Sequence, residues 1–289
     1  MISTSILSTG FINGLCLAGI YILIALGIAL ILSIMDILQF AHGEVYMLGA
    51  YFTYFIVVRL GGNPYLAIFA SMVACGVLGL ILERVVFRPL IGKFLPVVCA
   101  ATGLTLIFQT GAVLGFGLDV KHLPTIWSGS YHVAAFALPK DKLVALGVSV
   151  VLTGALFAFL KFTRLGLALS ATAQNREGAL LQGINPKVMY ALVMGVGSAL
   201  AAIAGAFGGS IFLLDPFMGS VALMKGFTII VLGGMGSLTG VVVGGLIYGL
   251  ADSLVATMFG SEIATYVPMI LVIIILLLRP QGLWGRETG

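Results

Sequence analysis

Long apolar runs separated by short polar breaks follow one another along almost the whole chain. A helix that crosses a bilayer needs ~20 apolar residues at a rise of about 1.5 Å each, and runs close to that length recur throughout. Strands of a membrane barrel would alternate polar and apolar residues over about ten positions, whereas 21–34 and 269–278 are continuously apolar. Because only helices and closed barrels span bilayers, the pattern predicts an all-α polytopic membrane protein.

Eight full spans are predicted from the apolar runs, and a ninth segment is shorter. The eight lie at 9–35, 45–58, 65–82, 95–118, 143–160, 188–214, 240–259 and 263–278. The ninth segment, 225–236, has about half the residues of a full crossing, which is typical of a half-helix. The sequence therefore predicts one transmembrane domain over 1–289, with 8–9 helices that include short or broken ones.

Lysine and arginine divide unevenly between the two ends of these spans, and loops rich in them stay in the cytoplasm. With nine crossings, nine of the 14 basic residues share one side: Arg84, Arg88, Lys93, Lys161, Arg164, Arg176, Lys187, Arg279 and Arg286. The other side collects Arg59, Lys121, Lys140, Lys142 and Lys225. The majority side is predicted to be cytoplasmic, which places the amino terminus outside and the carboxyl terminus inside. If 225–236 does not cross, the carboxyl end changes sides.

The composition excludes a large soluble domain, because 61% of the residues are hydrophobic and only 8% are charged. The first basic residue is Arg59, so the first apolar run is interpreted as a retained span, not a cleaved signal. Cys16, Cys75 and Cys99 occur at no metal-ligand or disulfide spacing and are predicted to be small buried hydrophobes. The net charge of +4 is better explained by the loop bias than by nucleic-acid binding.

Two loops are long enough to carry a role. The predicted outer loop, 119–142, is rich in rings: Pro124, Trp127, Tyr131, His122 and His132. It is interpreted either as a partner-docking or gating loop or as an ordinary aromatic anchor at the membrane interface. The predicted cytoplasmic loop, 163–187, carries residues at helical spacings: Ala168, Ala171, Thr172, Asn175, Ala179 and Gln182. This pattern predicts one short amphipathic helix, or two with a break, that ends at Gly183.

Several motifs follow one another at characteristic spacings: Asn13-Gly14-Leu15, Phe40-Ala41-His42-Gly43-Glu44, Glu83-Arg84 with Arg88-Pro89-Leu90, the segment 166–183, and Val231-Leu232-Gly233-Gly234-Met235-Gly236-Ser237. In this order they resemble the branched-chain and hydrophobic amino acid permeases of ABC importers, and the likeness runs from about 11 to 279. Two positions depart from the family pattern. Gln39 stands where the family usually has Asn, and Ser170 stands where Arg commonly precedes the Ala of the coupling loop.

The resemblance implies an ABC importer permease fold in a bacterial inner membrane. The chain would form half of a pore with a homologous or identical permease, served by two cytoplasmic ATPase subunits and a periplasmic amino-acid-binding protein. Residues expected to couple to the ATPase are Gly166, Ala168, Ala171, Asn175, Arg176, Glu177, Ala179 and Gly183. An amphipathic helix docks by its apolar face, so Ala168, Ala171, Leu180 and Ile184 are expected to be buried against the ATPase, with 175–177 at the rim.

Nucleotide chemistry is expected in another chain. A phosphate-cradling loop requires Gly, four residues and then Gly-Lys-Ser/Thr, but the Gly92-Lys93 pair is followed by Phe94. No cofactor or metal is predicted here, and ATP with Mg²⁺ is expected in the partner ATPases. The chain is predicted not to be an enzyme, because no nucleophile with a base or metal cluster is predicted at membrane depth.

Polar residues inside a bilayer usually line cavities or pair with one another. The candidates for the translocation path are Gln39, Phe40, His42, Glu44, Phe217, Lys225, Thr228 and Asp252. A second interpretation makes His42 and Glu44 a hydrogen-bonded pair that fixes a broken helix. Segments 39–58 and 215–236 are both interrupted, and the order of acidic residue, Phe, Gly, Met and Gly that starts at Asp36 is repeated from Asp215. Interrupted segments of this kind predict inverted repeats.

Two alternatives remain open from the sequence. The first is a permease of the same family for urea, short amides or other amino acids. The second is an ion-gradient secondary transporter, which needs no ATPase.

Overall fold

The computed structural model describes residues 4–124, 129–133, 136–279 and 281–285. Trp127 and Arg286 lie outside these residues, as do the side chains of Tyr131 and His132. The helices are α1 Thr4–Met35, α2 His42–Tyr54, α3 Pro64–Leu82, α4 Phe94–Phe116, α5 Lys140–Phe162, α6 Arg164–Gln174, α7 Arg176–Leu181, α8 Pro186–Ile211, α9 Met218–Gly233, α10 Leu238–Phe259, α11 Ser261–Ala264 and α12 Val267–Leu278. The strands β1 Ser130–Val133 and β2 Phe136–Pro139 form one antiparallel hairpin.

The predicted all-α polytopic fold is confirmed. In the described part of the chain, six helical stretches are long and apolar enough to cross a membrane: Leu7–Met35, Pro64–Leu90, Phe94–Phe116, Lys140–Phe162, Pro186–Ile211 and Leu238–Phe259. Three shorter elements accompany them, namely α2 with its π-helical extension Phe55–Arg59, α9 and α12. The ninth predicted segment begins too late, because α9 starts at Met218 and has 16 residues, still short of the ~20 of a full crossing.

Polar residues with proline set the starts of two long helices. The Asn63 side chain accepts a hydrogen bond from the Tyr65 amide at 2.9 Å, and Pro64 occupies the first turn of α3. Asn185 and Pro186 repeat the arrangement at α8, where the Asn185 side chain accepts from the Lys187 amide at 3.0 Å. An Asn cap satisfies one of the first amides of a helix, which have no partner within the helix. Proline at the first helical position has no amide that would need a partner.

α1 lies at the centre of the molecule and is buried on all sides over most of its length. This burial matches its uniformly apolar sequence, since a helix without a polar face is a core helix. α4 and α5 are mostly exposed and lie at the periphery. Cys16 and Cys75 are buried as predicted, but the prediction for Cys99 is wrong, because this residue of α4 is exposed.

Two pairs of helices cross at glycines. Gly27 of α1 faces Gly197 of α8, and a Cβ added at either residue would lie within 3.1 Å of the carbonyl oxygen of the other. Gly43 of α2 and Gly219 of α9 also face each other, and a Cβ at Gly43 would collide with the Gly219 carbonyl. The two segments predicted to be inverted repeats therefore cross each other in the interior.

The helix ends gather at two opposite faces of the molecule. At one face, which we call the α6–α7 face, the end of α1 meets α6, the start of α10 and Trp284, and Arg88 donates to the Lys187 carbonyl at 3.3 Å. At the other, the hairpin face, Ser253 donates to the Gly10 carbonyl at 2.8 Å, and Lys142, at the start of α5 directly after β2, donates to the Asn13 side chain at 3.0 Å. The start of α1 and residues 281–285 thus lie at opposite faces, as the predicted odd number of crossings requires.

Candidate translocation cavity and coupling helices

A charged cluster lies where α1, α9 and α10 meet. The Lys225 ammonium donates to Asp252 Oδ2 at 3.0 Å and to the Tyr21 hydroxyl at 2.7 Å. The Tyr21 hydroxyl donates in turn to Asp252 Oδ2 at 2.9 Å, and the ammonium stands 4.5 Å from the centre of the Tyr21 ring. Charges at membrane depth are costly unless they are paired, and this arrangement pairs both.

The prediction that the short apolar segment begins at Lys225 is wrong. Lys225 lies inside α9 and its side chain is directed toward Asp252. In the sequence pattern a single charge looks like the boundary of an apolar run. The ion pair with Asp252 allows α9 to continue through Lys225.

Two cavities open on either side of this cluster. The smaller has a volume of about 330 Å³ and the larger about 910 Å³. Both are lined by Tyr21, Phe212, Val221 and Lys225. Phe217 lines the smaller cavity, while Thr228 and Asp252 line the larger. Volumes of several hundred Å³ with apolar walls and a few polar groups are typical of small-molecule sites.

A second polar cluster surrounds Glu44 on α2. The Gln109 amide of α4 donates to Glu44 Oε1 at 2.9 Å and contacts Ser220 Oγ of α9 at 3.1 Å. The Glu44 side chain is buried while Ser220 is exposed. These contacts tie α4 to the crossing of α2 and α9, at a place separate from the Lys225 cluster.

The hydrogen-bonded pair of His42 and Glu44 is not formed, so that interpretation is wrong. Among the described residues, neither buried imidazole nitrogen of His42 has a hydrogen-bond partner, whereas Glu44 accepts from Gln109. Residues two apart on a helix do not face each other, and both residues lie on α2. The His42 ring instead packs against Gly27 of α1.

Gln39 and Phe40, the remaining predicted residues of the translocation path, lie close to the crossing of α2 and α9. Gln39 is fully buried, and its amide has no hydrogen-bond partner within the described part of the chain. The ring of Phe40 packs against Phe227 of α9 with centroids 5.8 Å apart. The structure thus brings Phe217, Lys225, Thr228 and Asp252 to the cavities and leaves Gln39, Phe40, His42 and Glu44 around α2. Sequence reasoning missed Tyr21, Gln109 and Ser220, because an isolated polar residue in an apolar span gives no signal of its partner.

The segment predicted to be amphipathic forms two helices with a break, α6 and α7. Thr163 caps α6, and Asn175 caps α7 by accepting from the Gly178 amide at 2.8 Å. Gly183 ends α7 with φ 79°, where the Ile184 amide donates to the Ala179 carbonyl at 3.0 Å. A left-handed glycine with this bond is a common helix stop. The prediction of a broken helix that ends at Gly183 is confirmed.

The exposed surface of these helices differs from the predicted one. Ala168 and Ile184 pack on the hydrophobic core of this chain, and Gly166 and Ala179 are buried. Ala171 is half-buried, while Asn175, Arg176 and Glu177 are exposed. Leu180, one of the predicted contact residues, is 59% exposed, and Leu181, which the spacing did not single out, is 86% exposed. Spacing alone could not tell which apolar face this chain uses for itself.

Two contacts anchor α6 and α7 to the membrane helices. The Arg176 guanidinium lies 5.4 Å from the centre of the Tyr190 ring of α8. Gly166 packs directly on the backbone of Phe159 and Leu160, where a Cβ would collide with α5. α6 therefore packs directly on α5, and α7 contacts α8.

The chain is similar to known permease proteins over most of its length. A family model described as "Branched-chain amino acid transport system / permease component" matches residues 10–278. The chain is 34% identical to the high-affinity branched-chain amino acid transport system permease protein LivH of Escherichia coli K12, over 95% of this chain and 94% of the relative. The corresponding permease protein BraD of Pseudomonas aeruginosa is 32% identical over 95% of this chain and 94% of that protein.

The fold has a counterpart among solved structures. A chain of the structure titled "PsaBC from Streptococcus pneumoniae in complex with Fab" gives a TM-score of 0.54 at 11% identity, covering 93% of this chain and 91% of that chain. At this identity the likeness concerns the fold alone.

The long apolar helices, the crossing of two interrupted segments and the charged cluster beside a cavity define a polytopic membrane transport protein. The chain belongs to the family of permease components of branched-chain amino acid transport systems, which confirms the family resemblance predicted from its motifs.

Proposed function

We propose that this chain is the membrane permease of an ATP-driven importer that moves branched-chain or other hydrophobic amino acids into the cytoplasm. The observation that carries the proposal is the pair α6–α7, which presents Leu180 and Leu181 on the surface of one membrane face. An exposed apolar helix surface of this kind is suited to a groove in a partner protein.

The partner at α6–α7 is a cytoplasmic ATPase, and the assembly holds two of them. Burial of one leucine side chain contributes roughly 1.5–3 kcal/mol, so Leu180 and Leu181 supply the apolar contact. Asn175, Arg176 and Glu177 form the polar rim, and ATP with Mg²⁺ binds in the ATPase. Closure of the two ATPases pulls α6 and α7, and the anchors at Phe159 and Tyr190 pass the movement to α5 and α8.

The transport route runs past the Lys225 cluster. Phe217, Lys225, Thr228 and Asp252 line it directly, and Gln39, Phe40, His42 and Glu44 hold the α2–α9 crossing on which its opening depends. A homologous or identical permease supplies the other half of the pore. A periplasmic amino-acid-binding protein delivers the cargo at the hairpin face, so the amino terminus lies outside the cytoplasmic membrane of a bacterium and the carboxyl terminus inside.

The experiment purifies the chain with its native neighbours in nanodiscs and follows ATP turnover while leucine-loaded binding protein is added. Leu181→Asp places a charge in the proposed docking surface and is expected to lower stimulated turnover tenfold or more. Phe94→Asp is the matched control, because Phe94 is 71% exposed at the start of α4, near the end of α1 and outside α6 and α7, and its turnover is expected to stay within twofold of the unmodified complex.

Equal turnover of the Leu181→Asp complex and the control would contradict the proposal. Leucine uptake that continues after ATP depletion while a proton or sodium gradient is kept would favour an ion-gradient transporter. Stimulation by urea or an amide, and not by leucine, would assign the chain to the alternative substrate class.

A further inference from the structure

We infer that Tyr21, Lys225 and Asp252 form a site that binds the α-carboxylate and the α-ammonium of an amino acid during its passage. The Lys225 ammonium takes the substrate carboxylate, and the Asp252 carboxylate takes the substrate ammonium. The inference rests on the proposed function and adds the groups that recognise the cargo inside the permease.

The geometry places both charges where a ligand can reach them. The Lys225 side chain is 20% exposed and the Asp252 side chain 9% exposed, and both line the larger cavity. The Lys225 ammonium and Asp252 Oδ2 are 3.0 Å apart, so a main-chain carboxylate and ammonium can replace each partner with little movement of the protein. Tyr21 contacts both charged groups and can donate to either carboxylate.

The exchange keeps every charge paired. Before the substrate arrives, Lys225 and Asp252 neutralise each other, which makes them tolerable at membrane depth. With the zwitterion bound, one internal ion pair becomes two pairs with the substrate. After release the ion pair between Lys225 and Asp252 forms again. The site therefore leaves no unpaired charge when the substrate is absent.

The charge balance of the cavity also favours a ligand with a carboxylate. Lys142 lines the larger cavity as well, where its ammonium donates to the Asn13 side chain at 3.0 Å. The described residues that line this cavity therefore include two lysines against one aspartate. Apolar walls of Leu17, Val221, Met224 and Ile273 face the same space and suit an aliphatic side chain.

A second buried ion pair of the chain shows the contrast. Glu83 and Arg88 are joined by two hydrogen bonds of 3.0 and 2.8 Å, and the Glu83 side chain is fully buried. Neither residue lines a described cavity. This pair ties the end of α3 to the start of α8 and serves as the control for a purely structural role.

The test measures ligand selectivity in the complete complex without binding protein, using tritiated leucine in nanodiscs. Leucinamide lacks the carboxylate and 4-methylpentanoate lacks the ammonium. Each is expected to compete at least tenfold more weakly than leucine, the loss expected when one charged hydrogen bond is removed. Lys225→Met is expected to remove the discrimination against leucinamide alone, and Asp252→Asn that against 4-methylpentanoate alone.

Unchanged competition ratios in both variants, or a parallel loss for all three ligands, would overturn the inference. If a single variant does not fold, the paired variant Lys225→Met/Asp252→Asn tests the inference. Leucine, leucinamide and 4-methylpentanoate should bind to it within threefold of one another. A retained tenfold preference for leucine would refute the site. Glu83→Gln/Arg88→Met should leave the ratios unchanged. ATP turnover stimulated by leucine-loaded binding protein in the unmodified complex separates failure of this inference from failure of the proposed function.

Discussion

At the scale of single residues, the informative positions are the polar side chains that an apolar helix would be expected to exclude. Lys225, Asp252 and Tyr21 satisfy one another across three helices. Sequence analysis singled out the two charged residues because charges at membrane depth are costly. It could not find Tyr21, since 231 residues separate it from Asp252 and no local pattern records a contact over that distance.

Removal of one member of the Lys225–Asp252 pair is expected to destabilise the protein. A charge left without its partner in an apolar interior costs roughly 3–5 kcal/mol, reduced here because the Lys225 ammonium is partly exposed. Asp252→Asn should therefore lower the apparent melting temperature in nanodiscs by several degrees, and Lys225→Met/Asp252→Asn should recover most of the loss. Equal melting temperatures for the single and the paired variant would contradict the proposed pairing energy.

At the scale of elements, the short helices α2 and α9 cross in their first turns, where Gly43 faces Gly219. The sequence predicts a relation between them, because Gly43 and Gly219 occupy corresponding positions in the shared order of Phe, Gly, Met and Gly. The start of α9 was missed by seven residues, because Met218–Met224 reads as part of a loop until Lys225 is seen to be paired.

The crossing of α2 and α9 predicts a steric effect at Gly43. A methyl group there would collide with the backbone of Gly219, so Gly43→Ala should force the two helices apart and lower both stability and stimulated ATP turnover. Gly111→Ala is the control, because a Cβ at Gly111 of α4 meets nothing within 4 Å and alanine is favoured over glycine in a helix by about 0.5–1 kcal/mol.

Thermal unfolding and yield in detergent measure the difference between the two glycine variants. We expect Gly111→Ala to be neutral or slightly stabilised and Gly43→Ala to be clearly less stable. A Gly43→Ala variant as stable as its control would show that the helices can separate without cost.

At the scale of the whole molecule, apolar length predicted an all-α bundle with short helices, but the prediction of eight full spans is wrong for 45–58 and 263–278, where the described residues form the shorter helices α2 with its π-helical extension and α12. The pairing of α1 with α8 and α10 could not be predicted from apolar length, because apolar faces that contact lipid and apolar faces that contact another helix have the same composition. The surface of α6 and α7 shows the same limit. Alanine spacing predicted the helices, but which apolar side chains stay exposed depends on how α6 and α7 pack against α1, α5 and α8.

The distribution of basic residues predicts the sidedness of the molecule. In a Cys99→Ala background, which removes the exposed thiol, Leu118→Cys should react with a membrane-impermeant maleimide in cells whose outer membrane is permeabilised. Glu177→Cys should react only after the inner membrane is opened. The reverse order of labelling would invert the orientation and exclude a cytoplasmic partner at α6–α7.

The central claim is that α6 and α7 are held by a separate ATPase, and cross-linking tests it most directly. Leu181→Cys in the Cys99→Ala background is treated with a short reagent that joins a thiol to a lysine, in membranes that contain the native neighbours. A cross-linked product with a soluble ATPase subunit is predicted for Leu181→Cys and none for Leu118→Cys. Absence of that product from Leu181→Cys, or its appearance only from Leu118→Cys, would contradict the account.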